Sequence, residues 1–94
     1  MNLFYNSAGS FNDPIISNLI KTLKNVYKED LILASCSNNA LGNHLLAQKI
    51  KESNTVFIWN GSEVGCFWVI EICETFNIPY CVFERGLFLS LIHI

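Results

Sequence analysis

Four short apolar runs shape the chain, and none of them alternates with polar residues. They are Leu3-Phe4-Tyr5, Leu31 to Ser35, Thr55 to Trp59 and Tyr80 to Phe83. A strand with one wet face alternates apolar and polar residues. A strand covered on both faces reads as a continuous apolar run, as in parallel sheets with helices above and below. Between these runs lie three stretches whose apolar residues recur at helical spacing. The chain therefore reads β-α-β-α-β-α-β with short connections. Right-handed crossovers turn that order into a three-layer α/β fold, a Rossmann-like parallel sheet of about four strands. Nothing beyond the fourth strand covers its outer edge.

The punctuation agrees with this division. Asn12 or Asp13 can cap a first helix, and Pro14 suits the first helical position, where its missing N–H costs nothing. Ile15, Ile16, Leu19, Ile20, Leu23 and Val26 then recur along one side, and the helix ends near Tyr27-Lys28. Ser37-Asn38-Asn39 offers a cap for a second helix from Ala40 to Lys51. Leu41, Leu45, Leu46 and Ile50 fall near one face of that helix, and Gly42 weakens it slightly. Ser62 is a good cap for a third helix, with Glu63 in its first turn. Val64, Phe67, Trp68, Ile70, Ile72 and Phe76 make this third helix apolar on much of its circumference. Asn77 suits the left-handed position after its end, and Pro79 blocks continuation.

Residues 89–94, Leu-Ser-Leu-Ile-His-Ile, fit no element in this scheme. They resemble one reading frame of the transposase mosaic-end adapter used in sequencing libraries. On that reading residues 1–88 form a partial Rossmann-like N-terminal domain, residues 89–94 are a non-native tail, and His93 carries no function. The other reading is a short edge strand.

Composition excludes several function classes. Six basic and eight acidic residues are spread along the chain, giving a net charge of −2. With no basic stripe, nucleic-acid binding has no electrostatic support. No polybasic segment faces an acidic membrane. Val64 to Cys73, the best spanning candidate, is too short and contains Glu71. With no secretory signal at the N-terminus, a cytoplasmic location is expected. Cys36, Cys66, Cys73 and Cys81 form no C-x-x-C pair, so zinc and thioredoxin-type chemistry are poorly supported and buried free thiols are expected. No metal site and no cofactor are expected.

Ligands of an open parallel sheet bind at the carboxyl ends of the strands, near a switch in strand order. Four loops reach that edge here: Asn6 to Ser10, Ser35 to Asn39, Asn60 to Ser62, and Glu84 to Gly86. They are small and polar, and Ser7, Ser37, Asn60 and Gly61 are substrate-binding candidates among them. Polar loops are also what any sheet of this kind carries at this edge. Ser7-Ala8-Gly9-Ser10 lacks the G-K-[ST] ending of a P-loop, and no G-x-G-x-x-G follows a strand. Cys36 follows a strand but has no histidine placed in sequence to serve as its base, so it reads as a structural thiol. His44 lies within a helix and reads as a surface or half-buried residue. Glu84-Arg85-Gly86 is the most informative triplet. A carboxylate and a guanidinium directly after a buried strand must pair or meet solvent. They read as a substrate-facing acid, as a residue that orients the loop, or as an internal ion pair holding the strand end.

The stretch Val56-Phe57-Ile58-Trp59-Asn60-Gly61, then a helix, then Asn77-Ile78-Pro79-Tyr80-Cys81-Val82-Phe83-Glu84-Arg85-Gly86 resembles the N-terminal domain of capsule polysaccharide biosynthesis proteins. That family includes transferases that add 3-deoxy-manno-octulosonic acid (Kdo) to glycolipids. Its pattern is a strand ending in W-N-G, a helix, "G-I-P" and a strand ending in F-E-R-G, usually with "L-P" soon after. Here Asn77 replaces the glycine, and Leu87-Phe88-Leu89 stands where the proline is usual. The match covers about residues 55 to 88 of the 94.

The resemblance implies a bacterial glycosyltransferase of two-domain GT-B-like architecture, acting in capsule or lipopolysaccharide assembly. Its partners would be a nucleotide-activated donor, a CMP-sugar, and a glycolipid acceptor, with the full-length protein peripheral at the inner membrane. Asn60, Gly61, Glu84, Arg85 and Gly86 are carried over as motif positions without an assigned catalytic role. One such half alone should be inactive, since it lacks the partner that closes the cleft. The alternative is a small non-catalytic flavodoxin-like binding module. A receiver domain is disfavoured, because Asn6-Ser7 stand where an acidic pair would follow the first strand.

Overall fold

A computed structural model describes residues 1–7, 11–35, 39–59, 64–83 and 89–92. The elements run β1 (Asn2–Asn6), α1 (Pro14–Val26), β2 (Leu31–Ala34), α2 (Ala40–Glu52), β3 (Thr55–Trp59), α3 (Val64–Thr75), β4 (Tyr80–Phe83) and β5 (Leu89–Ile92). The sheet order is β2-β1-β3-β4-β5. The first four strands are all parallel, as the non-alternating runs predict, but the run from Leu31 forms an edge strand with Leu33 exposed rather than a strand covered on both faces. The order 2-1-3-4 is that of the flavodoxin-like branch of doubly wound sheets.

The strands present alternate residues to two separate cores. On one face Leu3, Tyr5, Val56, Ile58, Tyr80 and Val82 pack with Leu46 and Ile50 of α2 and Cys66, Val69 and Cys73 of α3. On the other, Phe4, Phe57 and Trp59 pack with Ile16, Ile20 and Leu23 of α1. Leu3, Phe4 and Tyr5 are each fully buried, so β1 has no wet face.

The helix ends follow local chemistry. The Ile15 N–H donates to Asp13 Oδ1 at 2.9 Å, which makes Asp13 the cap of α1 ahead of Pro14. Asn39 caps α2 by accepting from the Gly42 N–H at 2.7 Å. After α3, Asn77 takes the predicted left-handed conformation, at φ 57. The Ile78 N–H donates to the Cys73 carbonyl, and Ile78 and Cys73 share a core cluster. This is the Schellman arrangement with its hydrophobic contact. α1 ends at Val26 with Tyr27 as its cap, close to the expected Tyr27-Lys28, and Lys28 and Glu29 after it are both left-handed, at φ 55 and 68. The Glu29 N–H closes on the Lys24 carbonyl at 2.8 Å.

Three further expectations are corrected. Leu89–Ile92, expected to fit no element, pairs antiparallel with β4, in register from Phe83↔Leu89 to Tyr80↔Ile92. The outer edge of β4 is therefore covered. An unpaired strand edge is a row of free N–H and C=O groups, and an apolar tail within reach can satisfy them. Leu41 and Leu45 do not join Leu46 and Ile50 in the core; both are exposed. Leu45 sits about 100° around the helix from Leu46, so the buried stripe is narrower than the sequence suggested. Cys66 and Cys73 are buried free thiols, whereas Cys81 is half-buried.

Burial pushes the Cys73 thiol from an ordinary 9.0 up to about 12, with the Glu74 carboxylate adding to the effect. Burial likewise pushes the Tyr80 phenol from 10.0 to about 12, helped by the hydrogen bond that its hydroxyl donates to Glu74 Oε2 at 3.0 Å. Both groups hold their protons more tightly folded than unfolded. Their contribution to stability is complete below the unfolded values and is lost as pH rises through the folded ones. Urea midpoints measured under reducing conditions should hold level to about pH 9 and fall above it, and Tyr80→Phe should soften the fall. A level profile through the phenol range would contradict this.

Candidate functional site

The carboxyl ends of the parallel strands form one level rim. Asn6 of β1 is in register with Trp59 of β3, and Trp59 with Phe83 of β4. Tyr5, one residue before Asn6, is in register with Ala34 at the end of β2. From β1 the chain turns through α1 towards β2. From β3 it turns through α3 towards β4, on the opposite face and in the opposite direction. The carboxyl ends of β1 and β3 thus flank the switch point where open α/β sheets bind ligands.

Each side of this crevice is anchored from below. Asn6 and Trp59 are both buried. The Cys66 thiol, inside the first turns of α3, donates to the Trp59 carbonyl at 3.6 Å and ties α3 under the end of β3. Phe11, shortly before α1, packs edge-on against Phe4 of β1, with ring centroids 6.4 Å apart. On the same face Phe57, midway along β3, packs between Tyr27 and Phe83, with ring centroids 5.5 and 6.0 Å away.

The N-terminus of α1, at the first βα turn, is where a doubly wound fold most often receives a phosphate. Here that end carries its own carboxylate, Asp13, and Pro14 offers no N–H. A second anion is repelled rather than recruited. This accords with the absent P-loop and glycine-rich fingerprints. Asp13→Ala should lower stability by about 1 kcal/mol, and Asp13→Asn by much less, because asparagine caps nearly as well. Urea unfolding of the two variants checks the difference.

Of the substrate-binding candidates, Ser7 is described, half-buried directly after β1. Ser37, Asn60, Gly61, Glu84, Arg85 and Gly86 lie outside the described residues, as do Cys36, Ser62 and His93. Trp59 and Phe83, which precede the Asn60 and Glu84 segments in sequence, are neighbours across the β3–β4 ladder. His44 is exposed on α2. Sequence reasoning counted Asn6 as loop. The structure makes it the last residue of β1, a buried polar group at the switch point. The signal was available as a lone carboxamide closing an apolar run.

Among the described residues, no three His, Cys, Asp or Glu side chains come together to hold a metal. No helix among them is long and apolar enough to cross a membrane. A shallow surface depression beside Gln48, Lys51 and Glu52 lies at the C-terminal end of α2, which leads into the start of β3 rather than its end. The chain matches no protein-family model and no curated protein sequence.

Proposed function

We propose that this chain is part of a glycosyltransferase of bacterial capsule or lipopolysaccharide assembly, with its strand-end rim facing a sugar substrate. The observation that supports the reading is the register Trp59↔Phe83, which pairs the residues that precede Asn60 and Glu84 in sequence at the ends of adjacent parallel strands. Two neighbouring strands that end on the same side of the sheet are what a shared binding surface there requires. The capped, acidic end of α1 fits a rim that meets hydroxyl groups there rather than a donor's phosphates. In this reading the donor, a CMP-sugar, takes its phosphate contacts from a second α/β domain of a GT-B-like enzyme. The acceptor is a glycolipid, and the enzyme works in the cytoplasm at the inner membrane.

The test is sugar transfer by a protein that carries this sequence together with a second α/β domain. With a CMP-sugar and a lipid acceptor, transfer should be measurable. Glu84→Ala should lower kcat/KM about 10- to 100-fold, the loss of one charged hydrogen bond. Leu41→Ala, at an exposed position on α2, should leave it unchanged. Absence of transfer from a well-folded product would sink the proposal.

The strand order 2-1-3-4 favours a second reading, a non-catalytic flavodoxin-like binding module. A gene that stops near Phe88 and a product that binds a small ligand without turnover would support it.

A further inference from the structure

We draw no further inference here: the strongest candidate, the apolar strip on the α1 layer where Leu19, Cys81 and Phe83 form the margin of the core and Ile15 and Val26 are exposed beside them, is an unpartnered face, and nothing in the structure shows what covers it.

Discussion

Val69→Asp is expected to cost about 4–6 kcal/mol at neutral pH, combining a lost buried aliphatic side chain with a buried carboxyl that has no partner. Val69 is fully buried, among Leu3, Ile58, Cys66, Cys73 and Val82, with α3 on one side and the sheet on the other. A domain of this length holds about 5–14 kcal/mol in total, so the variant should be largely unfolded under mild denaturant. The pH dependence has a definite sign. An apolar site favours the neutral acid, so the folded-state pKa of the new carboxyl lies above its unfolded value. The deficit should therefore shrink as pH falls from 7 towards 4, where the unfolded state also begins to bind the proton. Urea midpoints of variant and wild type, compared at several pH values, read this directly. A Val69→Asp protein as stable as wild type at pH 7 would remove α3 from the core.

Phe4→Ala is expected to cost about 3–5 kcal/mol, the usual loss for a fully buried phenylalanine. Phe4 lies on the other face of the sheet, with Phe57, Trp59 and the buried side of α1, and Phe11 packs on its ring. Truncation leaves a cavity bounded by stiff aromatic neighbours that cannot easily collapse into it. The effect should extend beyond stability. Phe11 would lose the ring it packs on, so the amides of Phe11, Asn12, Asp13 and Ile15 should exchange faster in the native state. Leu41→Ala, on the exposed flank of α2, should change stability by less than about 0.5 kcal/mol. Chemical denaturation with hydrogen exchange distinguishes these outcomes, and equal costs for Phe4→Ala and Leu41→Ala would contradict the two-core arrangement.

The elements were legible where one local signal sufficed. Thr55–Trp59 is β-branched and aromatic throughout, and it forms β3 with the predicted boundaries. Asp13-Pro14 and Asn77-Ile78-Pro79 are stop and start signals with backbone mechanisms, and each acts where expected. Properties set by the packed assembly were less legible. The spacing of Leu41 and Leu45 is equally compatible with the core face and its flank, and the packing of Leu46 and Ile50 decides between them. Strand order depends on which strand each crossover reaches, which no single run encodes. The pairing of Leu89–Ile92 with β4 uses backbone groups that carry no residue signature. Lys28 and Glu29 take left-handed conformations, which disfavour side chains with a Cβ, so no residue signal there announces them.

The candidate site was legible as a place more than as chemistry. Apolar runs ending in small polar residues locate the rim, and the register of β1, β3 and β4 makes it level. The importance of Asn6 comes from the switch point, which exists only once the strand order is known.

The shared rim is tested most directly by nuclear Overhauser contacts across the β3–β4 ladder. A parallel pairing with Trp59 beside Phe83 and Val56 beside Tyr80 gives the result expected here, with both strands ending on one side of the sheet. Contacts joining Trp59 to Tyr80 and Val56 to Phe83 would mean antiparallel strands, send the Asn60 and Glu84 segments to opposite edges, and end the proposal of a common binding surface.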